Sequence, residues 1–156
     1  MEHIKQNDPR LNAFMQKSGC FIRSAELLAE IKTGRALTAE QINQIFIDAK
    51  KHQFIDENNL VTTSDGIANL ALKALGCSGN FVEVGKFENG VTTWWGWVIG
   101  TKWARADALI QKIHQNGPQG THFRVVDNRG HLIEDPHDPV IKSTGIYYSI
   151  LYAYEA

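Results

Sequence analysis

Ser18-Gly19-Cys20-Phe21-Ile22-Arg23-Ser24-Ala25-Glu26-Leu27-Leu28-Ala29-Glu30-Ile31-Lys32 is the stretch from which the rest of the chain can be read. Phe21, Ala25, Leu28 and Ala29 recur at helical spacing, and Ile22 and Leu27 broaden the stripe. The spacing predicts a helix from Phe21 to Lys32 with an apolar face. Thr33-Gly34 supplies a glycine stop behind it. Cys20 stands at the mouth of this helix, after the flexible Ser18-Gly19 and outside the apolar stripe. A thiol in that place meets the positive end of the helix macrodipole, which favours the thiolate. Free cysteines are also among the most buried residues, so position rather than residue type marks Cys20 for chemistry.

Downstream of this helix, Thr38 and Gln41 have capping-box spacing and open a helix through about His52, with Ile42, Ile45, Phe46 and Ala49 inward. After a break at Asp56-Glu57-Asn58-Asn59, Ser64 or Asp65 caps a third helix. It carries Ile67, Leu70, Ala71, Ala74 and Leu75 and closes at Gly76. Composition then shifts. Phe81-Val82-Glu83-Val84 alternates, Glu88-Asn89-Gly90 signals a hairpin turn, and residues 91–99 are rich in tryptophan and β-branched side chains, as in a strand. Ala106 to His114 reads as a helix from the spacing of Leu109, Ile110 and Ile113. Thr121 to Val126 reads as a strand, Asp127 to Gly130 as a turn, His131 to Glu134 as its return, and Gly145 to Tyr154 as a last aromatic strand. Residues 1–15, polar with a turn at Asn7-Asp8-Pro9, are expected to wrap the surface. The whole, 1–156, is one α+β domain with a helical part over 18–76 and a mainly sheet part over 80–156.

Bulk composition narrows the partners. The 156 residues suffice for one domain with a substantial core. Sixteen Lys and Arg against seventeen Asp and Glu leave a formal charge of -1, with no excess to draw the chain onto nucleic acid or a membrane. Neither a basic leader with an apolar run nor a membrane-spanning stretch is present. A cytoplasmic location, or export without a recognisable signal peptide, is the expectation. Two cysteines do not make a disulfide framework. Cys77, after a helix-ending glycine and with no helix following it, reads as structural. Oligomeric state is not legible.

A cysteine nucleophile needs a base and an orienting acid. His122 opens one strand and Asp135 closes the next, before Pro136. With a two-residue turn at Asn128-Arg129, position 122 falls directly opposite 135, with Cβ atoms about 4.5–5.5 Å apart. A bulged three-residue turn instead pairs Phe123 with Asp135 and leaves His122 diagonal to the acid. The sequence suits both. Asp127 is the rival acid, but its place in the turn explains it. An amide hydrolase also needs an oxyanion donor beside the nucleophile's own N–H, and Gln6 and Gln16 are the side-chain amides upstream. His131, Asp135, His137 and Asp138 have a metal-like look, but one such loop is weak grounds for a metal, and neither metal nor cofactor is expected. Trp94, Trp95, Trp97 and Trp103 pack in the core by default and otherwise wall a cleft.

Together, Gln6-Asn7-Asp8-Pro9-Arg10, Ser18-Gly19-Cys20 opening a helix, His122-Phe123-Arg124-Val125-Val126 and Asp135-Pro136 resemble papain-like cysteine peptidases, nearest to the bacteriocin-leader (double-glycine) peptidase group. The resemblance implies a papain-like fold, with N-terminal helices bearing the thiol packed on a C-terminal antiparallel sheet. It implies Cys20 as nucleophile, His122 as base and acid, Asp135 as orienter, and Gln6 as the better-matched oxyanion donor, with Gln16 the alternative. The expected activity is hydrolysis of a peptide, isopeptide or related amide, in a protein or the cell wall, through an acyl-thioester. Phe21-Ile22-Arg23 stands where that group has Gly-Pro followed by Thr or Ser, which sets bulk and charge beside the thiol. The alternative reading is therefore a non-catalytic papain-like binding or regulatory module.

Overall fold

In a computed structural model the chain is described over residues 2–88, 108–116 and 120–156. Four helices come first, α1 (Ala13–Ser18), α2 (Cys20–Thr33), α3 (Ala39–Lys51) and α4 (Ser64–Ala74). The strands follow, β1 (Asn80–Glu88), β2 (Ala108–His114), β3 (Thr121–Val126), β4 (Leu132–Glu134) and β5 (Gly145–Glu155). They form one sheet in the order β1-β5-β2-β3-β4, and every neighbouring pair is antiparallel. The class is α+β, helices before strands, as the order of sequence patterns predicts.

Local chemistry accounts for the helix ends. Asn12 caps α1 by accepting from the Met15 N–H at 2.9 Å. Gly19 ends α1 and begins α2, donating its N–H to the Met15 carbonyl at 3.0 Å. A Cβ at position 19 would lie 2.6 Å from that carbonyl oxygen, so the junction that presents Cys20 requires glycine. Helix α2 closes on Gly34 at φ 68°. Both reciprocal bonds of the Thr38–Gln41 capping box are formed at the start of α3. Helix α4 departs from expectation. Thr63 occupies the cap position without a side-chain bond, and Ser64 instead pairs its hydroxyl with Tyr152 at 2.5 Å, tying α4 to the sheet. Ala74, expected inward, is exposed, while Ala68 and Leu72 join Ile67 and Ala71 in the core.

Helix α2 packs against α4 and α1 and against β3 and β2, while α4 also packs on β1. Residues Ile22 through Glu30 are all buried, so the helix has no solvated face through that stretch and carries Arg23, Glu26 and Glu30 inside the protein. The main core gathers Leu27 and Leu28 with Ile42, Ile67, Leu72, Ile110, Val125 and Tyr152. Leu109, Val126 and Leu151 make a smaller cluster.

Where a helix is expected over 106–114, the described residues Ala108–His114 form a strand. Ala108, Leu109, Ile110, Gln111 and Ile113 are buried in β2, which sits between β5 and β3 with both ladders made. A central strand covered on both faces reads as a continuous apolar run, and a run this short matches helical spacing equally well. The N-terminal segment follows the surface but also buries Gln6, Leu11 and Met15. The tryptophan-rich stretch, the strand read over 91–99 and the turn at 89–90 lie outside the described residues. No helix among the described residues is long and apolar enough to cross a membrane.

Candidate active site

Cys20 is the first residue of α2 and half-buried. Its thiol lines the same cavity as the ring of His122, the second residue of β3, and the two groups interact electrostatically. The Nε2 of His122 is 2.7 Å from Oδ1 of Asp135, which leaves Nδ1 as the ring nitrogen available to the sulfur. His122 is 4% and Asp135 2% exposed. Ring and carboxylate are thus linked within the sheet part, and the sulfur at the start of α2 shares the ring's cavity.

The hairpin reaches this arrangement by a path outside both predicted registers. Val126 pairs with Leu132, as a three-residue turn requires. An irregularity then makes Val125 pair with Glu134, so Ile133 is an extra residue in the return strand. Direct opposition of 122 and 135 is not formed. Carried one step further, the shifted ladder would set Asp135 across from position 124, on the same side of the strand as 122 and diagonal to it. Diagonal neighbours lie about 7–8 Å apart, within reach of an imidazole and a carboxylate leaning together. Without the second bulge, Asp135 would be turned to the other face.

Asp135 is held from several directions. Its Oδ1 also accepts the His137 N–H at 2.8 Å, and Oδ2 accepts the Ile141 N–H at 3.0 Å. Its backbone carbonyl accepts from Lys5 at 2.7 Å, and Lys5 ion-pairs with Glu134. Burial opposes the Asp135 charge, yet the His122 ring and these N–H donors hold its carboxyl below the ordinary value. Burial likewise opposes protonation of His122, but the hydrogen bonds and charges of Asp135 and Cys20 outweigh it and push the imidazole up to about 9. At neutral pH the ring is therefore an imidazolium, flanked by the sulfur and the carboxylate.

A cavity of about 290 Å³ opens over the thiol, lined by Gln6, Gln16, Ser18, Cys20, His122 and His137 among others. The two candidate amides differ. Gln16 donates one side-chain N–H to the Leu11 carbonyl at 2.7 Å. Gln6 is 3% exposed; its Oε1 is buried without a hydrogen-bond partner, and its side-chain N–H groups make no hydrogen bond among the described residues. An uncommitted amide at the wall of a thiol-bearing cavity is an exception of the kind that calls for a functional reason. The Gln6 backbone N–H donates to the Pro136 carbonyl at 2.6 Å, and Asn7 exchanges hydrogen bonds with the Asp138 backbone at 2.7 and 3.1 Å. The N-terminal segment thus lies along the loop that carries the acid.

The bulky residues after the cysteine do not crowd the thiol. Ile22 and Arg23 are turned into the interior, and Phe21 stacks on Phe123 at 4.1 Å between centroids and 7° between planes, joining α2 to β3 beside the site. Asp127 behaves as a turn residue, its Oδ1 accepting the N–H groups of Arg129 and His131 at 2.8 and 2.9 Å. The four residues of the metal-like loop do not converge. His131 pairs with Asp127 at 3.4 Å, Asp135 with His122, and His137 Nδ1 with the Pro139 carbonyl at 2.9 Å. No group of three His, Cys, Asp or Glu side chains among the described residues is placed to hold a metal ion. Cys20 and Cys77 are both free thiols, and Cys77 sits apart, 3.2 Å from the Tyr154 hydroxyl.

Sequence reasoning weighed His137 only as part of a metal-like loop, yet its ring lies 6.2 Å from that of His122 and lines the cavity. It gave Lys5 no role, and it read Asn7 only as part of a turn and a motif. No protein-family model, curated protein or solved structure matches this chain.

Proposed function

We propose that this protein is a small cysteine hydrolase of papain-like design that cleaves a peptide, isopeptide or related amide. The observation that carries the proposal is the Cys20 thiol sharing a cavity with the hydrogen-bonded His122–Asp135 pair and with the Gln6 side chain.

The chemistry follows from these positions. The Cys20 sulfur attacks the substrate carbonyl carbon, forming the C–S bond while the carbonyl electron pair moves onto oxygen. The oxyanion accepts from the Cys20 N–H, in the first turn of α2, and from the Gln6 side-chain amide. Collapse breaks the C–N bond, and the His122 imidazolium gives its proton to the leaving nitrogen. Water then enters, His122 takes one of its protons, and the resulting hydroxide attacks the thioester. The C–S bond breaks, releasing the acid and restoring thiolate and imidazolium. Asp135, held by three donors, fixes the ring so that Nδ1 faces sulfur throughout.

The experiment uses p-nitrophenyl acetate, which needs no knowledge of the natural substrate. Wild type and Cys77→Ser should release a burst of p-nitrophenolate and carry an acetyl group on Cys20, located by peptide mass mapping. Cys20→Ser and His122→Ala should give no burst. Equal acetylation of Cys20 with and without His122 would remove the proposal.

A further inference from the structure

Arg23, Glu26 and Glu30 lie on one side of α2, the first only three residues after Cys20. All three are fully buried, Arg23 at 0% exposure. The Arg23 guanidinium reaches Glu30 Oε2 at 2.5 Å and Glu26 Oε1 at 3.3 Å, while its Nε donates to the Ile4 carbonyl at 2.8 Å. Glu30 Oε1 in turn meets His3 Nδ1 at 3.1 Å and accepts the Leu37 N–H at 3.2 Å. Buried ion clusters recover little or nothing over apolar packing of the same volume, because desolvation opposes their attraction. Stability therefore gives no reason for this one. Its connections do, since residues 3 and 4 of the N-terminal segment are fastened to α2 by it.

Two residues further on, the Gln6 N–H is fastened to the Pro136 carbonyl, next to Asp135. A chain spans at most about 3.3–3.6 Å per residue, so the segment between these two anchors has little slack. Its first anchor belongs to the helix that bears the thiol and its second to the loop that bears the acid. The side chain suspended between them is the one whose amide is left free at the cavity.

We infer that Arg23 is a positioning residue of the active site, holding the N-terminal segment across α2 so that the Gln6 amide faces the Cys20 thiol. This rests on the hydrolase reading and adds to it an explanation of how an amide fourteen residues upstream of the thiol is set in place. A lysine at position 23 keeps the charge opposite Glu30, but a single ammonium lacks the guanidinium fork needed to hold the carboxylates and the Ile4 carbonyl together.

Two reactions of Cys20 separate positioning from general damage. Alkylation by iodoacetamide needs the thiol and His122 but forms no oxyanion. Acylation by p-nitrophenyl acetate passes through one. Arg23→Lys should alkylate within about twofold of wild type yet acylate about 10-fold or more slowly, towards the roughly 10²–10³-fold that loss of one oxyanion donor costs. Gln6→Ala should show the same split, and the double variant should be no slower than Gln6→Ala alone. Should Arg23→Lys fail to fold, Arg23→Met with Glu26→Gln and Glu30→Gln removes the cluster without leaving a buried charge, and is scored in the same way. Wild-type acylation by the substituted protein, an equal fall in both reactions, or full additivity with Gln6→Ala overturns the positioning role alone. A wild-type protein whose Cys20 alkylates but never acylates overturns the hydrolase reading and this inference with it.

Discussion

Replacing Asp135 by asparagine keeps the shape of the side chain and removes what the site asks of it. Three donors converge on this carboxylate, with His122 Nε2 at 2.7 Å and the His137 N–H at 2.8 Å on Oδ1, and the Ile141 N–H at 3.0 Å on Oδ2. A carboxylate satisfies all three, whereas an amide offers one oxygen and one NH₂. If the oxygen stays toward His122, the Ile141 N–H faces another donor, and if it turns toward Ile141, both His122 and His137 lose their acceptor. The cheaper arrangement still leaves one buried donor unmet, which costs about 1–3 kcal/mol. Either arrangement also deprives the imidazolium of its anion, so His122 should titrate below about 9. Urea unfolding of Asp135→Asn at pH 7 should show about 2 kcal/mol less stability. Acylation of Cys20 by p-nitrophenyl acetate should slow by roughly 10²–10⁴-fold, the range expected when an acid–base residue is misplaced. The acid limb of stability should change too. A carboxyl held below its ordinary value contributes stability that is present above the unfolded pKa and lost as pH falls through the folded one. Asp135→Asn should lack that loss. A variant acylating within threefold of wild type would refute the orienting role.

Two further outcomes follow from the buried elements around the site. Glu26 is pushed up to about 8 by burial, with Glu30 adding and Arg23 opposing, from an ordinary 4.5. The folded protein therefore holds a proton that the unfolded chain releases, and stability should fall as pH rises from about 4.5 to about 8. Glu26→Gln should gain about 2 kcal/mol on wild type between pH 5 and pH 7 in paired urea titrations, and a difference that does not change with pH would contradict this. The stacked Phe21–Phe123 pair fastens the thiol-bearing helix to the strand of the base. Phe21→Ala, Phe123→Ala and their double variant should show a coupling of about 1 kcal/mol in thermal or urea unfolding, and additive effects would mean the rings do not hold the two elements together.

What was legible in the sequence was what local chemistry decides. Thr38 and Gln41 announce the start of α3 because a capping box is complete within four residues. Gly34 announces the end of α2 because a left-handed C-cap favours glycine. Cys20, His122 and Asp135 could be named from their placement at element ends. What joins them could not. The ladder of β3 with β4 includes a bulge at Ile133 that no turn signal encodes, and that extra residue keeps Asp135 on the side of His122. The strand nature of β2 depends on neighbours on both sides, so Leu109, Ile110 and Ile113 alone pointed to the wrong element. The burial of Arg23, Glu26 and Glu30 has no local signal, because charges at helical spacing usually form a solvated face. The N-terminal segment lying across them reveals otherwise.

The coupling of thiol, imidazole and carboxylate is tested most directly by following the His122 ring by NMR through a pH titration, in wild type and in Cys20→Ala. The site described above requires His122 to hold its proton up to about pH 9 and to lose it at a lower pH once the sulfur is gone. A ring that titrates near 6.5 and ignores the loss of Cys20 would contradict it.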